Sequence, residues 1–114
     1  MIYLLDTADL KEIKRLNDLY PIDGVTTNPS IIAASNMKLT ELVKEIRNII
    51  GNSKMLHVQT LSDKAEDIVK EAYRLRDIAG GNVYIKIPAT PQGIKAIRKL
   101  KDVGFKVTAT AIFT

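Results

Sequence analysis

Short apolar runs alternate with longer amphipathic segments along all 114 residues, and this alternation restricts the fold more than any other feature. Ile2-Tyr3-Leu4-Leu5 predicts a strand, and Leu10, Ile13 and Leu16 follow at helical spacing. Thr7 is placed to cap that helix, with Asp9 and Glu12 complementing its positive end. Gly24-Val25-Thr26 predicts a second strand and Pro29 suits the first position of a short turn. Leu39, Leu42, Val43, Ile46 and Ile50 then form a helical stripe closed by Gly51. Met55 to Thr60 predicts a third strand. Ser62 caps a helix lined by Ala65, Ile68, Val69, Ala72, Leu75 and Ile78, and Gly80-Gly81 stops it. A fourth strand covers Val83 to Pro88. Thr90-Pro91 opens a helix with Ile94, Ile97 and Leu100 inward, Gly104 ends it, and Phe105 to Phe113 is the fifth strand. The order is βαβαβαβαβ, expected as a single domain over residues 1–114.

Connections of this length imply parallel strands joined by right-handed crossovers. Two α/β architectures fit: a five-stranded flavodoxin-like doubly wound sheet, or the opening strands of a (β/α)8 TIM barrel. Polarity at the strand ends favours the barrel. Each run carries a polar group at or just beyond its carboxyl end: Asp6, then Thr26 and Asn28, Gln59, Lys86, and Thr108 or Thr110. Such ends converge on one face, which in (β/α)8 enzymes holds the active site. Singly, each residue has a plainer use. Asp6 and Thr26 suit turns, Asn28 precedes Pro29, and Thr110 is an ordinary strand residue. Their collective placement is what points to a site.

Lys86 interrupts Val83-Tyr84-Ile85-Lys86-Ile87-Pro88, a stretch otherwise apolar enough to be buried on both faces. Desolvation disfavours an ammonium, so a buried lysine can present the neutral amine that attacks a carbonyl and forms a Schiff base. The plainer alternative is a lysine guarding an edge strand or snorkelling from a strand end.

Composition removes several other classes. Cysteine is absent and His57 is the single histidine, which argues against disulfides, thiolate sites and a histidine-built zinc site; no metal or other cofactor is expected. The net charge of +4 is spread along helices where basic residues alternate with acidic ones, and four Tyr, two Phe and no Trp offer few stacking platforms, so nucleic acid is not an expected partner. No apolar run reaches membrane-spanning length and the amino terminus lacks a signal-peptide layout, so a cytoplasmic protein is expected.

Leu5-Asp6-Thr7, Gly24-Val25-Thr26-Thr27-Asn28-Pro29-Ser30-Ile31-Ile32 and Ile85-Lys86-Ile87-Pro88-Ala89-Thr90 together closely resemble the small transaldolase and fructose-6-phosphate aldolase family. The likeness continues through Gly93, Lys95-Ala96-Ile97 and Thr108-Ala109-Thr110-Ala111. It implies a (β/α)8 barrel, a class I mechanism without metal, and a ketose donor bound covalently through Lys86. It further implies that Asp6 and Asn28 hold hydroxyls of a dihydroxyacetone or hydroxyacetone unit, that Thr26 lines the same pocket, and that Thr110 positions a catalytic water. The family's transaldolases carry a glutamate where this chain has Gln59. An amide cannot take a proton at neutral pH, which favours aldolase-type chemistry over transaldol transfer. His57 lies on the same strand face as Gln59 and is read as a core or second-layer residue, with contact to the site as the alternative.

A barrel of this kind has eight units and typically about 250 residues, whereas this sequence ends on its fifth strand. The resemblance places a general acid/base tyrosine, and a serine and arginine for the substrate phosphate, beyond Thr114. Expected partners are sugar phosphates or small ketoses and aldehydes, with neither nucleic acid nor membrane. A partial barrel leaves unpaired edges, so a homo-oligomer and low activity are expected. The competing reading is a non-catalytic half barrel or an oligomerising binding module.

Overall fold

Five strands, the first four each followed by helix, make up the computed structural model, which describes residues 2–110. The elements are β1 (Leu4–Asp6), α1 (Leu10–Leu19), β2 (Gly24–Thr26), α2 (Pro29–Ala34), α3 (Leu39–Ile50), β3 (Met55–Gln59), α4 (Ala65–Ala79), β4 (Val83–Pro88), α5 (Pro91–Asp102) and β5 (Val107–Thr110). The part of the fifth strand expected beyond Thr110 lies outside the described residues. The turn at Pro29 is longer than expected, a short helix with Pro29 in its first turn.

All strand pairs are parallel, and the sheet order is β1-β2-β3-β4-β5. This order decides between the two architectures. Right-handed crossovers that always step to the next strand in the same direction keep every helix on one face. A doubly wound sheet must reverse direction at a switch point, and there is none among the described strands. The flavodoxin-like alternative is therefore incorrect. α1 packs on α3, α3 on α4 and α4 on α5, a single helical layer outside the sheet.

Strand burial follows from this one-sided cover. Leu56 and Val58 of β3 and Val83, Ile85 and Ile87 of β4 are buried under the helices, while the intervening residues on the inner face are only partly buried. The outer core is completed by Ile13, Leu42, Val43, Ile46, Ile68, Ala72, Leu75, Ala96 and Leu100. Each large aliphatic side chain there contributes roughly 1.5–3 kcal/mol through burial. Two expectations need correction. β4 is not buried on both faces, so Lys86 is half-buried. Ile94 is 43% exposed, because α5 turns Gly93, Ala96 and Leu100 toward the sheet instead.

Capping also differs from the sequence reading. Asp9, not Thr7, is the N-cap of α1 and accepts from the backbone N–H of Lys11 and Glu12; Thr7 Oγ1 accepts from the N–H of Asp9. Ser62 does not cap α4, which begins after Lys64 with no side-chain cap of its own. Thr90 does cap α5, accepting from the Gly93 N–H at 2.9 Å. Among the described residues no helix is long and apolar enough to cross a membrane.

Candidate active site

Parallel register brings the inner-face residues into rows. Asp6 is level with Thr26, Thr26 with His57, and His57 with Tyr84. One pleat nearer the carboxyl ends, Gln59 is level with Lys86 and Lys86 with Thr108; one pleat further, Pro88 is level with Thr110. The strands stay paired to their ends because each ladder runs on into the following loop. The His57 carbonyl accepts from the backbone N–H and hydroxyl of buried Thr27, the Lys86 carbonyl from the Thr60 N–H, and the Thr110 carbonyl from the Ala89 N–H. Lys86 thus stands on a braced strand segment with Gln59 on one side and Thr108 on the other.

The sequence-predicted residues fall into three groups. Asp6 and Thr26 are joined directly, Thr26 Oγ1 donating to Asp6 Oδ1 at 2.8 Å. That leaves Asp6 Oδ2 to accept from a ligand. Gln59 and Lys86 are neighbours in register. Asn28 is the N-cap of α2, its Oδ1 accepting from the Ile31 N–H at 2.9 Å, so its side-chain amide donors remain for other work. Thr110 lies one pleat beyond Lys86 at the mouth, and Thr108 is the threonine directly level with the lysine. Asp6 and Lys86 are separated by β2 and β3 and make no ion pair with each other.

His57 and Tyr84 form the floor beneath the Gln59–Lys86 row. Their rings are stacked, with centroids 4.6 Å apart and planes 8° from parallel. His57 Nε2 is buried with no hydrogen-bond partner among the described residues. Burial pushes the imidazole pKa down, and the positive charge of Lys86 pushes it further the same way. Tyr84 was not singled out from the sequence, where an aromatic in an apolar strand reads as core. The only usable signal was its alternation with Lys86, which puts both on one face.

A groove of about 550 Å³ opens beside Asp6, between the β1–α1 loop and α2, and its lining includes Thr7, Leu10, Ile31 and Met37. It does not reach Lys86, whose strand faces an uncovered inner surface. The β3–α4 loop that follows Gln59 is fixed from outside, with buried Glu71 accepting from the N–H groups of Leu61 and Ser62 through Oε1. Among the described residues no cluster of His, Cys, Asp or Glu has the makings of a metal site.

Comparison with known proteins gives two matches. Residues 3–114 match the family model described as Transaldolase/Fructose-6-phosphate aldolase. A protein of Streptococcus pneumoniae named as a probable fructose-6-phosphate aldolase is 42% identical over 115 aligned residues, which take in 100% of this chain. The chain spans about half the length of that relative, 52% of it.

Proposed function

The chain belongs to the transaldolase and fructose-6-phosphate aldolase family, and from that premise we propose that it carries the nucleophilic half of a class I, Schiff-base aldolase or transaldolase site for sugar phosphates, with Lys86 as nucleophile. The observation that carries this reading is the position of Lys86, on the inner face of a sheet whose polar residues gather at the carboxyl ends. Under it, the Nζ lone pair attacks the carbonyl carbon of a ketose donor and a C–N bond forms. Uptake of one proton and loss of water then leave a positively charged iminium. The iminium nitrogen draws in the electron pair of the carbon–carbon bond next to the former carbonyl's neighbour. As the hydroxyl on the far carbon of that bond gives up its proton to a water molecule, the bond breaks and an aldehyde leaves behind an enamine. Addition to an aldehyde is the same sequence reversed.

The remaining residues suit the hydroxyl groups of a dihydroxyacetone or hydroxyacetone unit. Asp6 offers Oδ2 as acceptor, Asn28 its amide donors, and Thr26 holds the carboxylate in place. Thr110, at the mouth, is assigned to a water. Gln59 beside Lys86 is an amide that can orient a water but cannot remove its proton, which favours aldolase chemistry over transaldol transfer. This reading places the enzyme in the cytoplasm with small phosphorylated sugars as its ligands.

The test is reductive trapping of the 114-residue chain with fructose 6-phosphate or dihydroxyacetone and cyanoborohydride, followed by peptide mass spectrometry. The expected result is one adduct, on Lys86, absent from Lys86→Ala. A folded chain that gives no adduct would make this a non-catalytic half barrel.

A further inference from the structure

The carboxyl end of β3 is held by the sheet from one side only. Pairing of β2 with β3 stops at Thr26 and His57, and the last backbone bond from β2 is the one Thr27 donates to the His57 carbonyl. Gln59 lies two residues further on, level with Lys86, where the ladder runs to β4 alone. The next three N–H groups nevertheless all have fixed acceptors. Thr60 donates to the Lys86 carbonyl at 3.0 Å, and Leu61 and Ser62 donate to Glu71 Oε1 at 2.9 and 3.1 Å. The loop is exposed at Leu61, Asp63 and Lys64, and α4 starts after it without a side-chain cap of its own. Glu71, in the second turn of α4, is only 8% exposed. An apolar side chain would fill that space, as Ile68, Ala72 and Leu75 do on the same face. A buried carboxyl group is costly unless hydrogen-bonded, and both bonds that Glu71 accepts among the described residues run to the two residues after Thr60.

We propose that Glu71 is a positioning residue of the Lys86 site: by holding the Leu61 and Ser62 amides it fixes the side of the β3 end that β2 leaves free, and so keeps Gln59 aimed at a water beside Lys86. The inference rests on the Schiff-base reading. When the carbinolamine on Lys86 becomes the iminium, its hydroxyl takes up one proton and leaves as water. A water oriented by Gln59 carries that proton: it accepts one from solvent, gives one to the departing hydroxyl, and ends unchanged. Without the hold of Glu71, Gln59 moves with its loop and the water loses its place. The loop stays tied at Thr60 and, through Gln92, at Ala65, so the expected loss is about tenfold in the rate of imine formation, less than a full 1 Å misplacement can cost.

The test is the rate at which Lys86 is labelled by dihydroxyacetone at saturating cyanoborohydride, so that imine formation limits it, read by peptide mass spectrometry. Glu71→Asp keeps the charge and withdraws the oxygens by one methylene, and is expected to label about tenfold more slowly. Glu71→Gln keeps the reach and one acceptor oxygen, and is expected to recover most of the rate. Gln59→Ala is expected to be as slow as Glu71→Asp, and the double variant no slower than Gln59→Ala alone, because one residue acts through the other. Equal rates in wild type and Glu71→Asp, a Gln variant as slow as the Asp variant, or losses that multiply in the double variant would each overturn the role of Glu71 and leave the Schiff base standing. No labelling of the folded wild type would overturn the Schiff-base reading and this inference together. The hold itself is read without any variant: the Leu61 and Ser62 amides are expected to exchange hydrogen as slowly as Thr60, and fast exchange at both would overturn it.

Discussion

A β-carbon on Gly93 would stand 1.9 Å from the carbonyl oxygen of Pro88, a backbone atom at the end of the strand that carries Lys86. Gly93 is also the residue whose N–H reaches the Thr90 hydroxyl, so the β4–α5 turn is wound as tightly as a chain without that carbon allows. Gly93→Ala is expected to destabilise the fold by about 3 kcal/mol, since backbone must move to relieve the overlap. Calorimetric or denaturant unfolding would show it, and a loss under 1 kcal/mol, roughly the cost of an ordinary surface change, would mean the turn opens freely. The same close approach explains the error over Ile94. Gly93, where nothing larger fits, sets the buried face of α5 as the one that also carries Ala96 and Leu100, whereas hydrophobic periodicity favours the large residues beside them. The places of Lys86, Gln59 and Asp6 at or near the carboxyl ends of their strands were legible, because a polar group at the end of an apolar run needs an explanation. The inner-face place of Tyr84 drew no notice, since its side chain is as much at home in a core as on the floor of a candidate site.

Helix boundaries show where local signals stop being sufficient. α4 begins at Ala65 after a residue that offers no side-chain cap, and the Ala65 N–H is instead accepted by Gln92 Oε1, at 3.0 Å, from the first turn of α5. Ser62 is the better cap by composition, but the N–H groups of Leu61 and Ser62 are held by Glu71, which bends the loop before the helix can start. A cap supplied by a neighbouring element leaves no trace in the residues around the helix start. At the other end of the layer, Arg47 in the last turn of α3 is buried and donates to the carbonyls of Gly51, Lys54 and Ala79, tying the carboxyl ends of α3 and α4 together. Sequence shows Arg47 as one more basic residue on an amphipathic helix. Gln92→Ala is expected to cost about 1 kcal/mol, as for loss of an ordinary N-cap. Hydrogen exchange at the Ala65 amide should quicken with it. Protection unchanged there would show that Gln92 is replaceable by water.

At the scale of the molecule, βα alternation was legible across the described residues except at the short α2, because period and punctuation are written in the longer segments. The sense in which the sheet is wound was less so. Carboxyl-end polar residues converge on one edge in a doubly wound sheet as well as in a barrel. Sequential order β1-β2-β3-β4-β5 separates the two, and it comes from pairings that no single segment contains. That order has a physical consequence. With every helix on one side, Leu4, Met55, His57, Tyr84 and Lys86 stand on a face that no described element covers, and the free edge of β1 is flanked by exposed Ile2 and Tyr3. Tyr20, 58% exposed at the end of α1, lines a cavity together with Tyr3 and Leu4. An edge with open backbone donors and acceptors beside uncovered leucine and tyrosine is a template for another strand. The 114-residue chain is therefore expected to self-associate, its sedimentation coefficient rising with concentration. Leu4→Lys, which sets a charge on the edge strand facing the uncovered side, should shift the population toward monomer without lowering the helical signal in circular dichroism. A wild-type chain that stays monomeric at every concentration would mean that the exposed edge of β1 is protected by its own twist, and that the inner face tolerates water as it stands.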